Sequence, residues 1–126
     1  MDMMKKEMPL RVHTRELAKL MIGEVASMHK GYKFTFAEHI NDACIELMIQ
    51  VKYALRATEI SGPDGRLDRI NQSVALVDRI DVMAELMFEV PLINDKKFMR
   101  MSRLLENISR QLAGWKKSSE EKLGGA

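Results

Sequence analysis

The sequence predicts an all-α protein that folds as an antiparallel up-down-up-down four-helix bundle. Apolar residues recur at three- and four-residue spacing in four successive segments, which is the pattern of amphipathic helices. Short connections separate these segments, and short connections place consecutive helices side by side and antiparallel. Methionine, a good helix former, occurs 11 times in the 126 residues, whereas aromatic residues make up only 6%. No segment alternates polar and apolar residues as a half-buried strand does.

The domain boundaries follow from where the helical periodicity begins and ends. Residues 1–13 include Pro9 and are predicted to form a flexible, polar N-terminal tail. Residues 118–126 are small and polar, and they are predicted to form a disordered C-terminal tail. The four-helix bundle is therefore expected to occupy residues 14–117.

The first two helices are placed by local start and stop signals. The first helix is predicted to run from near Thr14 to near Lys30, with Gly31 as its stop. The second helix is predicted to begin at a capping box. There the Glu38 amide donates to the Thr35 hydroxyl, and the Thr35 amide donates to the Glu38 carboxylate.

The other boundaries are marked by turn residues. A Ser-Gly-Pro-Asp-Gly turn at residues 61–65 follows the second helix, which is predicted to end near Glu59. Asp64 is predicted to cap the third helix, and Pro91 to end it. Asn94 is predicted to cap the fourth helix.

The fourth helix carries two opposite faces. Its apolar positions repeat with strict three- and four-residue spacing, the pattern of a bundle seam: Phe98, Met101, Leu105, Ile108, Leu112 and Trp115. Five basic residues are spaced 4, 3, 7 and 7 positions apart, which places them on one face turned away from that seam. These residues, the basic stripe, are Lys96, Arg100, Arg103, Arg110 and Lys117.

Charge is distributed unevenly although the net charge of the chain is only +2. Residues 94–117 hold seven basic and two acidic residues, a local charge of +5. Residues 61–93 hold three arginines and six acidic residues, a local charge of −3. The basic stripe is therefore either an ordinary solvated face or the binding surface of a phosphate backbone or an acidic protein, including the third helix of another subunit.

Candidate catalytic groups are few. Glu38, His39 and Asp42 lie close together in sequence and could bind a metal, but a capping glutamate and two solvated side chains explain them better. Cys44 falls beside the apolar stripe of the second helix and is interpreted as a buried structural thiol. The glycine-rich turn at residues 61–65 lacks the Gly-Lys-Ser/Thr ending of a phosphate loop. We therefore expect no enzyme, no cofactor and no metal site; an enzyme using His39, Asp42 and Cys44 is the weakest alternative.

Composition also indicates a compartment. A single cysteine cannot form an internal disulfide, so a reducing cytoplasm is expected. No run of about 18 apolar residues is present, so no membrane partner is expected.

Two segments carry a resemblance to a known family. The first is Lys33-Phe34-Thr35-Phe36-Ala37-Glu38-His39-Ile40, followed by Asp42-Ala43 and a long apolar helix; the second is the Gly114-Trp115 end of the segment 104–115. They resemble the accessory variability determinants (Avd) of diversity-generating retroelements, relatives of the proteins encoded by intervening sequences of 23S ribosomal RNA genes. Intervening-sequence proteins usually carry a Ser-Ile-Pro-x-Asn-Ile-Ala-Glu-Gly-like stretch, where this chain has Ile40-Asn41-Asp42-Ala43-Cys44-Ile45-Glu46, and this departure favours the Avd branch.

The resemblance implies a function. Avd-like proteins are non-catalytic homopentamers of four-helix bundles that bind RNA or DNA and partner a reverse transcriptase during mutagenic retrohoming. The alternatives are an intervening-sequence-type bundle protein and a protein-binding oligomeric scaffold. On each of these interpretations, the basic stripe is the candidate binding site.

Overall fold

A computed structural model describes residues 2–124 of the chain, with side chains from residue 9 onward. It contains four α-helices: α1 (Asp2–Ala26), α2 (Lys30–Arg56), α3 (Arg66–Glu89) and α4 (Asp95–Gly124). Over these described residues no β-strand is present. The predicted all-α, four-helix architecture is therefore confirmed.

Each helix packs against two neighbours. The helix α1 contacts α2 and α4, and α3 contacts the same two helices, so α1 lies diagonally opposite α3 and α2 diagonally opposite α4. Side chains near the end of α1 meet the start of α4, as Glu24 does with Lys97, while His13 meets Gln111 farther along. Such reversed pairs mean that these neighbouring helices run antiparallel. Other reversed pairs are His39 with Arg79, Gln50 with Arg69, Phe88 with Phe98, and Arg66 with Trp115.

All four helices contribute to one hydrophobic core. On α4 the buried residues Met101, Leu105, Ile108 and Leu112 fall on the predicted seam, and Phe98 and Trp115 pack against them partly buried. Each fully buried side chain of this size contributes about 1.5–3 kcal/mol of transfer free energy. The seam residues therefore fix which face of α4 points inward, and with it which face remains in solvent.

The described helices extend into both predicted tails. The prediction that α1 starts near Thr14 is wrong, because α1 begins at Asp2 and the buried Leu10 joins the core. The prediction that the bundle ends at residue 117 is also wrong, because α4 continues to Gly124 and Ser119 is fully buried. Packing of a few side chains stabilises helical turns that a polar local sequence does not predict.

The start of α2 also differs from the prediction. The prediction of a capping box at Thr35 and Glu38 is wrong, since both residues lie inside α2. At that position the Glu38 amide donates to a backbone carbonyl of the preceding turn. The N-cap is His29, whose Nδ1 accepts a hydrogen bond of 3.4 Å from the Gly31 amide. Gly31 is therefore not a helix stop; it lies in the first turn of α2, and α1 ends earlier, at Ala26.

The predicted turn at residues 61–65 is present, but its capping residue is not the expected one. Gly62 adopts a positive φ of 101°, which favours glycine. Gly65, rather than Asp64, is the N-cap of α3 and makes no side-chain capping bond. The Asp64 carboxylate is exposed and lies 3.8 Å from the Arg69 guanidinium.

The cap of α4 is confirmed. The amide of Lys97 donates to Asn94 Oδ1 at 2.8 Å, and the amide of Phe98 donates to the Asn94 carbonyl at 3.0 Å. Asp95 follows in the first turn, where a negative charge is favourable. The start of the basic helix is thus fixed by its own local sequence.

Replacing Gly65 by alanine is expected to destabilise the bundle. An added Cβ at this position would lie 1.9 Å from the carbonyl oxygen of Ile60, so the backbone must shift. Overpacking of this kind costs about 1–3 kcal/mol. Gly23→Ala is the matched control, because Gly23 is an exposed helical glycine whose Cβ would meet nothing within 4 Å, and we expect it to stabilise the protein slightly. Urea unfolding measures both variants; equal stabilities would contradict the close approach at Gly65.

Candidate nucleic-acid interface

The structure places the whole basic stripe on the outward face of α4. Its five side chains are all exposed, and they lie on the side of the helix opposite the buried seam. The stripe spans about 32 Å from Lys96 to Lys117 at 1.5 Å per residue. That length equals about nine nucleotide steps of a B-form strand at 3.4 Å each.

Four of the five charges are available for a ligand. Within the described part of the chain, Lys96, Arg100, Arg103 and Lys117 make no ion pair. Arg110 contacts Glu106 at 2.9 Å, one turn earlier on the same helix. Both of these side chains are well exposed, and exposed pairs of this spacing contribute only about 0.3–0.5 kcal/mol. A phosphate can therefore compete with Glu106 for Arg110.

Lys97 differs from the neighbouring lysine in the stripe. Its Nζ lies 3.0 Å from the carboxylate of Glu24, whose side chain is mostly buried at the end of α1. This pair joins α1 to α4, so the Lys97 charge belongs to the helix contact. The helical spacing that defines the stripe also includes Lys96 and leaves out Lys97.

A buried charged cluster at the other end of the bundle was missed by sequence reasoning. The Arg66 side chain is only about 5% exposed, and its guanidinium binds carbonyls of the last turn of α2 and the carboxylate of Glu59. The second carboxylate oxygen of Glu59 accepts a hydrogen bond from the Ser119 hydroxyl of α4. Both Glu59 oxygens therefore have structural partners, and the cluster joins α2, α3 and α4. Its only signal in the sequence is a glutamate and an arginine on either side of the turn.

The three residues of the enzyme alternative, His39, Asp42 and Cys44, do not form a common site. His39 and Asp42 are exposed, and His39 lies 3.4 Å from an Arg79 nitrogen. Cys44 is buried in the core, and this burial raises the pKa of its thiol to about 12. A thiol with this pKa is almost wholly protonated at neutral pH and is a poor nucleophile. Among residues 9–124, no group of three or more His, Cys, Asp or Glu side chains is placed to hold a metal ion.

Two other surfaces combine exposed apolar residues with charged residues of one sign. The outward face of α3 exposes Val82 and Leu86 between the acidic residues Asp78, Glu85 and Glu89. A groove between α1 and α2 has an apolar floor and a basic rim, formed by Ile45, Met48 and Ile49 and by Arg11, Arg15 and Lys52. In apolar character and in charge, the α3 face and the groove are complementary.

Comparison with known proteins identified no relative of this chain. No protein-family model matches the chain, and neither the curated proteins nor the solved structures gave a significant match. None of the helices described between residues 2 and 124 combines the length and apolar character needed to cross a lipid bilayer.

Proposed function

We propose that this protein is a non-catalytic, nucleic-acid-binding accessory protein of a diversity-generating retroelement that partners a reverse transcriptase in mutagenic retrohoming. The basic stripe supports the nucleic-acid part of this proposal. The resemblance of residues 33–43 and 104–115 to Avd proteins supports the link to a reverse transcriptase.

The observation that carries the proposal is the exposure of the stripe. Four cations without ion pairs and one weakly paired arginine occupy a single helix face about 32 Å long. A phosphate backbone presents negative charges at regular intervals over the same length, and binding it releases condensed counterions. RNA and DNA strands are therefore well matched to this surface.

A homopentamer is part of the proposal. It is suggested by the Avd resemblance, and the two complementary surfaces give it a physical basis. If the acidic and apolar α3 face of one subunit seats in the basic-rimmed groove of the next, the contact is head-to-tail. Head-to-tail contacts close into rings when the rotation per subunit allows it. This arrangement leaves α4 and its basic stripe on the free surface of each subunit.

The second candidate function is a protein-binding oligomeric scaffold; a four-helix-bundle protein of the 23S ribosomal RNA intervening-sequence type is the other alternative. The acidic face of α3 favours the scaffold, because such a surface on another protein could bind the stripe instead of a phosphate backbone. RNA binding distinguishes the two functions, because the accessory protein binds RNA and the scaffold does not.

The salt dependence of RNA binding tests the proposal. Each phosphate contacted on a single strand adds about −0.7 to the slope of log affinity against log salt, so four or five contacts give a slope of about −3. Fluorescence anisotropy with a labelled single-stranded RNA between about 50 and 200 mM salt measures this slope. Light scattering on the same sample gives the mass of the binding species, and a pentamer is the expected result. Absence of binding, or an affinity independent of salt, would contradict the nucleic-acid function.

A further inference from the structure

The first turns of α2 project beyond the core. Residues 29–35 are all exposed, and the first buried residue of this helix is Phe36. Phe34 is 80% exposed, the highest value among the exposed large apolar residues of the described chain. Because Phe36 makes the contact with the core, Phe34 is not needed to hold α2 in the bundle.

Two lysines lie near this exposed ring along the helix. Lys30 lies one turn before Phe34, and side chains four residues apart share a helix face. Lys33 is the neighbouring residue and is also exposed. No acidic residue occurs between Glu24 and Glu38, so the whole start of α2 is free of acids along the chain.

The same end of the bundle carries the start of the basic stripe. Glu24 at the end of α1 contacts Lys97 near the start of α4, and only three residues separate the end of α1 from the start of α2. The helices α2 and α4 are diagonal, so their axes lie about 13 Å apart if neighbouring axes are 8–10 Å apart. A strand that follows the stripe to Lys96 therefore arrives at the end of the bundle where Phe34 lies.

We propose that Phe34 is a base-stacking platform for single-stranded nucleic acid, with Lys30 and Lys33 holding the flanking phosphates; this inference rests on the nucleic-acid binding proposed above. Aromatic side chains stack on bases with little regard to sequence, since every base has a π face. In a duplex these faces are covered by neighbouring bases, so the platform selects single strands. A protein pocket closing on Phe34 would instead remove the two lysines from water, which is costly without acidic partners.

Two substitutions test the platform by distinguishing base stacking on the aromatic ring from simple burial of an apolar side chain. Phe34→Leu keeps an apolar side chain but removes the ring, whereas Phe34→Tyr keeps the ring. We expect Phe34→Leu to bind a single-stranded RNA about fivefold or more weakly and Phe34→Tyr to bind it like the wild type. An RNA duplex and an abasic sugar-phosphate strand of equal length should bind the wild type and Phe34→Leu alike, with the same salt slope. Ile60→Ala, an exposed apolar position at the opposite end of the bundle, is the control and should leave RNA binding unchanged.

The outcomes separate this inference from the function on which it rests. If the wild type binds no RNA, the proposed function fails first. If the wild type binds with the expected salt slope and Phe34→Leu binds single strands equally well, only the stacking platform is contradicted. It is also contradicted if Phe34→Leu weakens the abasic strand as much as the RNA. A change in the mass of Phe34→Leu by light scattering would assign Phe34 to a contact between subunits instead.

Discussion

Replacing Arg66 by methionine is expected to lower the free energy of unfolding by about 3 kcal/mol, a large fraction of the stability of a small domain. The Arg66 guanidinium donates to the carbonyls of Ala54 at 2.8 Å, Ala57 at 2.7 Å and Leu55 at 3.4 Å. These carbonyls lie at the C-terminal end of α2, where no intrahelical donor remains for them. Arg66 also pairs with Glu59 at 3.0 Å. Methionine fills a similar volume but leaves these carbonyls and one carboxylate oxygen of Glu59 without their donor.

Arg69→Met is the matched control. This arginine lies one turn later on α3, but its ion pair with Asp64 is long, at 3.8 Å, and the Asp64 side chain is 90% exposed. Its guanidinium also lies 5.2 Å from the ring centre of Tyr53. It also donates to Gln50 Oε1 at 3.4 Å. Each of these contacts is long or partly exposed and is expected to contribute about 1 kcal/mol or less. Urea unfolding of both variants measures the difference, and an Arg66→Met variant no less stable than Arg69→Met would contradict the capping role.

A double-mutant cycle with Glu59→Gln separates the parts of the cluster. If the ion pair carries the effect, Glu59→Gln should already remove much of it, and adding Arg66→Met should cost less than it does in the wild type. If the α2 carbonyls carry the effect, the two changes should add. The structure predicts coupling together with a remaining cost of Arg66→Met, because the guanidinium serves both the carboxylate and the carbonyls.

The parts of the fold that were predicted correctly depend on local sequence. The seam of α4 follows from a repeat within one helix, and Asn94 caps that helix through an amide only three residues away. The ends of the bundle depend instead on distant contacts. Leu10 extends α1 because it reaches the core, and Ser119 extends α4 because its hydroxyl meets Glu59, 60 positions earlier. Neither contact leaves a periodic signal in the sequence.

The same distinction applies to the charged residues. Helical spacing alone was enough to group Lys96, Arg100 and Arg103 on one outward face, and the structure places them there. The pairing of Lys97 with Glu24 joins residues 73 positions apart, so sequence spacing excluded Lys97 from the stripe without showing its partner. Arg66 gave even less indication, since an arginine after an exposed turn is usually solvated.

Reversing three charges of the basic stripe is expected to abolish RNA binding. In the variant Arg100→Glu, Arg103→Glu and Arg110→Glu, three favourable phosphate contacts become repulsive. All three side chains are exposed and outside the seam, so the fold should be retained. Each lost contact also removes about 0.7 from the salt slope on a single strand, so any residual signal at low salt should depend little on salt.

The control must carry the same change in net charge without touching the stripe. Lys19→Glu, Arg56→Glu and Arg79→Glu achieve this, with one exposed position on each of α1, α2 and α3. At physiological ionic strength the Debye length is about 8 Å, so charges scattered over other faces act weakly on a ligand bound along α4. Circular dichroism and thermal unfolding of both triple variants verify that each remains a folded helical bundle.

The most direct test of the nucleic-acid function is the affinity of the stripe variant, its control and the wild type for one single-stranded RNA at about 0.1 M salt. We expect the wild type and the scattered control to bind within a few-fold of each other and the stripe variant to show no saturable binding. If the folded stripe variant binds the RNA like the wild type, the basic face of α4 is not the nucleic-acid site.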